Sequence, residues 1–308
     1  MHLRYDEDLV EAAAFLAASG RCPGVPPEQI ARFHRGRERL YAILDPDERN
    51  AAFFKLHLDW FREWGLERPL TAVVEKFVLL PPALELLAFR KARGRNEEGA
   101  ELFVNEAARR HAVVALRPER FEREPALTDF LRHEFTHLQD MVNPGFGYSP
   151  ELPASDWNPA RQRLVRERYR LLWDITIDGR LARAGGRPMA AREQHWTAFS
   201  RGYSFWAAEK QSRVFESLWR SPSPSHAGLM ELATDPRGLR DEPQAVPGAL
   251  CPLCSFPTFD WVEAGRITPD IAARVSAEFP GWTSSLSLCG RCHEVYQVAA
   301  TQRSMAAC

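Results

Sequence analysis

The stretch RHEFTHLQD (132–140) contains two histidines four positions apart, with a glutamate directly after the first. On a helix, the 100° step per residue puts His133 and His137 on one face. Two imidazoles at that spacing can ligate one zinc ion, and Glu134 can then reach a zinc-bound water as a general base. Because zinc lowers the pKa of such a water toward neutrality, the pattern predicts hydrolytic chemistry.

The helix that would carry this motif has an apolar back. Leu131, Phe135 and Leu138 gather on the side opposite the histidines. Phe130 and Met141 flank the histidine face, whereas a solvated helix has a broad polar face. The pattern therefore favours a metal site over the alternative, a surface helix that carries an exposed histidine pair.

The motif and its surroundings resemble the zincin class of metallopeptidases, and the resemblance covers residues 70–200. In zincins, an antiparallel edge strand precedes the HExxH helix and lies along the active-site cleft. The run HAVVALRP (111–118) is the candidate for that strand. The resemblance implies a zinc-dependent hydrolase in which Glu134 activates the water, and a peptide or protein as its substrate.

A catalytic zinc ion usually has three protein ligands and one open position, so a third ligand is needed. Metzincins and SprT-like proteases place another histidine shortly after HExxH, but here no histidine occurs between His137 and His195. Gluzincins and aspzincins instead use an acidic third ligand. In gluzincins this ligand is a glutamate on a second helix, and an aspartate four residues later orients the first histidine.

By that resemblance, Asp174 is the third zinc ligand and Asp178 orients a histidine. Both lie in WDITID (173–178), on one face of a predicted helix and beside apolar residues. A gluzincin has glutamate at the first position, so the two roles could be exchanged here. Two other readings stay open: an ion pair of Asp174 with Arg170 that leaves Asp178 on the surface, and Asp140 as a supporting residue or alternative ligand.

Hydrolysis of a peptide bond also needs a group that stabilises the oxyanion. Tyrosine hydroxyls and a histidine N–H downstream of the motif are the available donors. The sequence does not choose among four candidates: Tyr148, Tyr169, His195 and Tyr203.

Four of the six cysteines form two pairs, in CPLC (251–254) and CGRC (289–292). Four thiolates suit a closed tetrahedral zinc site with a structural role, and rubredoxin-like iron is the competing interpretation. The predicted ligands of this second metal are Cys251, Cys254, Cys289 and Cys292. Few lysines or arginines surround the pairs, so a staple or a recognition lobe is favoured over a nucleic-acid module.

The composition is that of an ordinary globular protein, with 45% hydrophobic and 26% charged residues. A formal net charge of -1 gives no overall attraction to nucleic acid or to anionic membranes. No apolar run approaches the length of a transmembrane helix. The acidic start, with Asp6, Glu7 and Asp8, is unlike a secretory signal, so we expect a cytoplasmic protein.

The periodicities predict an α+β fold: a zincin-like domain with a small antiparallel or mixed sheet, helical surroundings and a small C-terminal zinc module. Strands are expected at 70–80, 100–105 and 111–118, with a helix and a charged turn in 84–99. Helices are expected at 127–142, 160–184, 190–219 and 269–279.

The predicted organisation has five segments. A helical N-terminal region is followed by the zincin-like domain, a breaker-rich linker or loop, the four-cysteine module and a tail. The boundaries are 1–66, 67–220, 221–248, 249–300 and 301–308.

The leading functional hypothesis is a metallopeptidase with one catalytic and one structural zinc ion. The alternative is a non-catalytic zincin-fold protein that binds or regulates a partner and has a structural zinc module. Glu134 argues against the alternative, because a purely structural site has no need of a base.

Overall fold

The computed structural model describes residues 1–105, 109–153, 157, 159–234, 245, 247–254, 256–279 and 282–306. The chain divides into two units, Met1–Ala233 (unit 1) and Thr234–Cys308 (unit 2). The α+β class is confirmed, since helices surround a small mixed sheet and a cysteine cluster lies in unit 2. Among the described helices, none has the length and hydropathy required to span a membrane.

The sheet of unit 1 has four strands in the order β1-β2-β4-β3. Strands β1, β2 and β4 run parallel, and β3 pairs antiparallel with β4 at one edge. The strand bounds are β1 His2–Tyr5, β2 Leu86–Lys91, β3 Gly99–Val104 and β4 Arg110–Leu116. The predicted strands at 100–105 and 111–118 are therefore present.

Two predictions about this sheet are wrong. Residues 70–80, expected to form a strand, begin as a helix, because Leu70, Val73 and Val74 are buried at helical spacing. The expected helix in 84–99 is instead strand β2, whose Leu87 and Phe89 alternate with less buried neighbours. Hydrogen bonding to β1 on one side and β4 on the other overrides the helical preference of its leucines and alanines.

Unit 1 contains ten helices within its described residues, and two of them carry the predicted site. Helix α6 begins after Arg123, has Pro125 in its first turn and ends before Asn143. The bounds are α1 Glu7–Ala18, α2 Pro27–Leu40, α3 Pro46–Glu63, α4 Arg68–Val74, α5 Leu80–Ala83, α6 Glu124–Val142, α7 Pro159–Arg183, α8 Arg192–Gly202, α9 Ala208–Arg220 and α10 His226–Thr234.

These helices differ from the expected ones at three places. The N-terminal region is not wholly helical, because it starts with β1. The single helix predicted at 190–219 is two helices, α8 and α9, separated near Trp206. The stretch predicted as a linker includes α10, whose Leu229, Met230 and Ala233 are buried; most of 235–248 and the tail end 307–308 lie outside the described residues.

Two apolar clusters hold the site-bearing helices in place. The first packs the sheet and the N-terminal helices against the apolar back of α6, through residues such as Leu131, Phe135 and Leu138. The second joins the C-terminal part of α7 to α8, α9 and α10, through residues such as Ile175 and Ile177. Each site helix is therefore fixed by burial of the side opposite its polar residues.

Gly179 allows α7 to lie directly against α9. A Cβ at this position would overlap the carbonyl oxygen of Trp219. We expect Gly179→Ala to lower the free energy of unfolding by about 1–3 kcal/mol, although alanine favours helix, because the two backbones must separate. Urea unfolding measures this change.

Gly202→Ala on α8 is the matched control, since nothing lies within 4 Å of the Cβ it would add. It is expected to leave the urea midpoint unchanged or slightly higher. Equal midpoints for Gly179→Ala and the wild type would show that α7 and α9 do not approach so closely.

Unit 2 is built around a short hairpin and two helices. The bounds are β5 Ala249–Leu250, β6 Pro257–Thr258, α11 Pro269–Glu278 and α12 Gly290–Ala306. The predicted helix at 269–279 is confirmed, and the Thr268 hydroxyl accepts from the Ile271 N–H at its start. A small core that includes Val275, Trp282 and Leu288 is buried among these elements.

Candidate metal centre

Helices α6 and α7 bring three of the predicted ligands together. The Nε2 atom of His137 lies 3.0 Å from Oδ1 of Asp174, and the Nε2 atom of His133 lies 3.6 Å from the same oxygen. The donor atoms of these three residues all lie within 4.8 Å of one another. The Nε2 atoms of both imidazoles therefore face the same oxygen, Oδ1 of Asp174.

The spacing of these donors fits a transition-metal ion. Zinc bonds of about 2.1 Å in tetrahedral geometry place neighbouring ligand atoms about 3.4 Å apart. The separations of 3.0 and 3.6 Å are close to that value. Two imidazoles and one carboxylate are also a donor set that zinc accepts with a fourth position left open.

Asp178 lies behind the histidines and is fully buried. Its Oδ1 atom is 2.9 Å from Nδ1 of His133, and its Oδ2 atom is 2.7 Å from Nε2 of His195 on α8. The backbone N–H groups of Met189 and Ala190 each donate to it at 2.9 Å. This carboxylate holds the His133 ring with Nε2 toward Asp174, as a residue that orients a metal ligand does.

The charges at this cluster are strongly coupled. Burial by itself would lower the pKa of His133, but hydrogen bonds to Asp174 and Asp178 and the Glu134 charge raise that pKa to about 10. Burial would raise the pKa of Asp174 and of Asp178, yet their hydrogen bonds to histidines hold both pKa values well below the usual range. In the metal-free cluster the carboxylates are therefore ionised and pair with a protonated His133, and a metal ion that binds there would have to displace the proton from Nε2.

Glu134 lies beside the three ligands, against the edge strand. Its Oε2 atom accepts the backbone N–H of Ala100 in β3 at 2.8 Å. The edge strand was expected at 111–118, but that segment is β4, in the interior of the sheet. The strand at the site is instead the antiparallel edge strand β3, which precedes β4 in the chain.

Asp140 is not part of the cluster. Its oxygens accept from the Arg180 guanidinium, at 2.8 Å for Oδ1, and from the Trp173 indole N–H at 2.7 Å. The Trp173 ring in turn meets His137 edge to face, with ring centroids 4.4 Å apart. Asp140 supports the site through Trp173, and the reading of it as a metal ligand does not fit these contacts.

The four oxyanion candidates occupy different surroundings. His195 is bonded to Asp178, the Tyr169 hydroxyl lies 2.7 Å from Nδ1 of His226, and the Tyr203 hydroxyl donates to the Leu232 carbonyl. Tyr148 is half-buried and packs on Trp173 at 5.8 Å between centroids. Burial and the nearby Glu101 charge on β3 raise its pKa, so its hydroxyl stays protonated and can donate.

One buried ion network that anchors the edge strand was missed from the sequence. Glu98, directly before β3, receives two hydrogen bonds from the Arg120 guanidinium at 2.8 and 2.9 Å. It also accepts the backbone N–H of Arg117 at 3.1 Å. The network fixes the start of β3 beside Glu134, and no motif or spacing in the sequence indicates it.

The four paired cysteines form a second cluster, in unit 2. The Sγ atoms of Cys251 and Cys292 are 3.9 Å apart, and those of Cys254 and Cys289 are 3.8 Å apart. Tetrahedral zinc with bonds of about 2.3 Å separates its sulfurs by about 3.8 Å, whereas a disulfide needs about 2.0 Å. All four are free cysteines, so the cluster fits a metal and not a pair of disulfides.

Backbone N–H groups support charge on this cluster. The N–H of Cys289 points to the Cys251 sulfur at 3.4 Å, and the N–H of Cys292 to the Cys289 sulfur at the same distance. Burial would raise the pKa of the Cys251 thiol, but such N–H groups lower that pKa to about 7. Burial and the neighbouring sulfurs raise the pKa of the Cys292 thiol, so a metal ion that binds all four sulfurs would have to displace protons.

Comparisons with protein-family models, with curated proteins and with solved structures found no match to this chain.

Proposed function

We propose that unit 1 is a zinc-dependent metallopeptidase. The observation that carries this proposal is the convergence of the His133 and His137 Nε2 atoms on Asp174, with the Glu134 carboxylate beside them. A zinc ion bound there would supply Lewis-acid activation of a water molecule and of the substrate carbonyl.

In this proposal, Glu134 is the general base and then the general acid. One of its oxygens is held by the Ala100 N–H, which fixes the carboxylate at the edge of the cleft. Glu134 takes a proton from the attacking water and gives it to the leaving amine. The free edge of β3 can align an extended peptide by backbone hydrogen bonds, which makes a peptide the favoured substrate.

Asp174 is the proposed third ligand, and Asp178 orients His133. The contacts of Asp178 support this order of roles, because both of its oxygens are taken by histidines and backbone N–H groups. Asp174 keeps about a quarter of its side-chain surface accessible. Tyr148 is the proposed oxyanion donor, because the hydroxyls or N–H groups of the other three candidates already have protein partners.

The four-cysteine cluster is proposed to hold a structural zinc ion that stabilises unit 2. Four thiolates leave no position open for substrate, and the core of this unit is small. A cytoplasmic location is part of the same proposal.

The second candidate function is a non-catalytic binding or regulatory protein with the same metal site. Its supporting observation is burial: His133, Glu134 and His137 are each less than a tenth exposed. A site closed to substrate would still bind zinc but would not hydrolyse peptides. Hydrolysis therefore separates the two candidates, whereas metal content does not.

The metal content of the full-length protein tests both clusters. We expect two zinc ions per chain in the wild type and one in His133→Ala, because Asp174 and His137 alone leave a weak two-ligand site. Elemental analysis by plasma mass spectrometry gives the count. Peptidase activity on a casein-derived peptide pool is expected to vanish with His133→Ala.

His34→Ala is the control, since His34 is an exposed histidine on α2, away from the cluster. It should keep two zinc ions and full activity. A count of two in His133→Ala would remove this histidine from the metal site and with it the proposed function.

A further inference from the structure

A basic cavity opens beside Glu134, and it bears on the choice of substrate. Its volume is about 490 Å³, and both Glu134 and His133 contribute to its wall. Five arginines and no lysine line it, although the whole chain has a net charge of -1. The arginines are Arg95, Arg117, Arg120, Arg123 and Arg170.

Only part of this positive charge is neutralised. The buried carboxylate of Glu98 forms ion pairs with the Nε atoms of Arg120 and Arg117, at 2.8 and 3.3 Å respectively. Arg95 and Arg123 are exposed, and neither is paired with a carboxylate in the part of the chain that the structure describes. Five arginines against three glutamates leave a surplus of two positive charges on the wall.

Arg170 connects the cavity to the metal centre. Its Nη2 atom and Oε2 of Glu134 both lie next to Gly99, within 4 Å of the Cβ that an alanine would have there. Its Nε atom is 4.0 Å from Asp174, and two thirds of its side chain is exposed. If a peptide is bound with its scissile bond at Glu134, an acidic side chain in the cavity would therefore belong to a residue close to that bond in the peptide sequence.

The basic surface continues past the first cavity. A second cavity of about 640 Å³ shares Arg95, Arg117 and Glu119 with the first, and Lys91 and Arg93 add positive charge to it. The two cavities adjoin at these three shared residues and are together called the basic trough. Its lining includes Glu134 in the first cavity and Lys91, at the end of β2, in the second. Basic side chains spread over two adjoining cavities can pair with several negative groups of one extended chain, whereas a single carboxylate would need only one of them.

We infer that the basic trough binds acidic side chains of a peptide substrate, so that the enzyme selects segments rich in glutamate and aspartate. The inference rests on the proposed function for the identity of the bound chain as a peptide. Guanidinium groups pair with carboxylates in bidentate geometry, and unpaired arginines such as Arg95 and Arg123 have donors available for them.

Equilibrium binding tests this inference without hydrolysis. Fluorescence anisotropy is measured with the zinc-loaded Glu134→Gln protein and fluorescein-labelled, C-terminally amidated dodecapeptides, in which six positions are all Glu, all Gln or all Lys. The Glu peptide is expected to bind at least about tenfold more tightly than the Gln peptide. This preference should shrink when the salt concentration is raised, because exposed charges are screened.

The variant Arg95→Gln/Arg123→Gln, in the same background, is expected to weaken binding of the Glu peptide about tenfold. Its matched control is Arg201→Gln/Arg213→Gln, two exposed arginines on α8 and α9 that do not line the trough. Binding by the control should be unchanged. Both pairs are exposed, so thermal unfolding should show intact folding for each.

Three results would overturn the inference: equal affinity for the Glu and Gln peptides, an equal loss in the control pair, or an oligothymidylate of the same length bound as tightly as the Glu peptide. The last result would assign the trough to nucleic acid. Failure of the proposed function is a separate outcome. Preferred binding of the Glu peptide without any hydrolysis by the wild type would contradict the proposed function alone. Hydrolysis by the wild type with equal affinity for the Glu and Gln peptides would contradict the inference alone.

Discussion

Glu134→Gln is expected to reduce peptide hydrolysis by about a hundredfold to ten-thousandfold, with two zinc ions still bound per chain. The reduction is the usual contribution of a positioned general base. Glutamine has the same shape as glutamate but cannot take a proton from water at neutral pH. Its carbonyl oxygen can still accept the Ala100 N–H, so β3 is expected to keep its place.

The measurement is a pair of assays on each purified variant, zinc content and initial rate on the peptide pool. Glu124→Gln is the matched control, since Glu124 is an exposed glutamate in the first turn of the same helix. It should change neither quantity. Retained hydrolysis in Glu134→Gln would contradict the role of Glu134 as the general base. Loss of zinc in this variant would contradict the proposed ligand set, because Glu134 is not one of the proposed ligands.

The position of the site could be predicted from sequence because helix periodicity is a local property. His133 and His137 share a face whatever surrounds the helix, and the apolar residues on the back of α6 indicate which side is buried. The paired cysteines could be predicted for the same reason, since a CxxC spacing brings two sulfurs close together within a single turn. Both clusters are present among the described residues.

The sheet was harder to predict because strand formation depends on partners distant in sequence. The segment LLAFRK of β2 has leucine and alanine, which favour helix, and becomes a strand only through its pairing with β1 and β4. For the same reason, the sequence did not show which strand lies at the edge of the sheet. HAVVALRP has a stronger β pattern than GAELFV, yet it is the latter that lies at the edge and contacts Glu134.

The surroundings of the site could not be predicted at all from spacing. His195 comes to Asp178 across the turn between α7 and α8, and Glu98 reaches Arg120 over more than twenty residues. Such contacts depend on how helices and strands pack against one another, and they produce no repeating pattern in the amino-acid sequence. The same holds for the basic trough, whose arginines come from separate segments of the chain.

Asp178→Ala is expected to destabilise the metal-free protein by about 3–5 kcal/mol and to weaken zinc binding by about ten- to a hundredfold. The first effect follows because a fully buried carboxylate is removed while its partners stay buried. Those partners are the rings of His133 and His195 and the N–H groups of Met189 and Ala190. The second follows because His133 loses the contact that orients it.

The contrast with Asp174→Ala distinguishes the two aspartates. Asp174 contacts the two histidines and, more weakly, the exposed Arg170 at 4.0 Å, and it keeps solvent contact. Its removal should therefore cost less stability in the metal-free protein but more zinc affinity. Urea unfolding with a chelator present gives the first quantity, and competition with a zinc-binding dye gives the second. If Asp178→Ala lost more zinc affinity and less stability than Asp174→Ala, the roles of ligand and orienting residue would have to be exchanged. The opposite result would support the assignment in which α7 provides both a metal ligand and, one turn later, the carboxylate that fixes a histidine of α6.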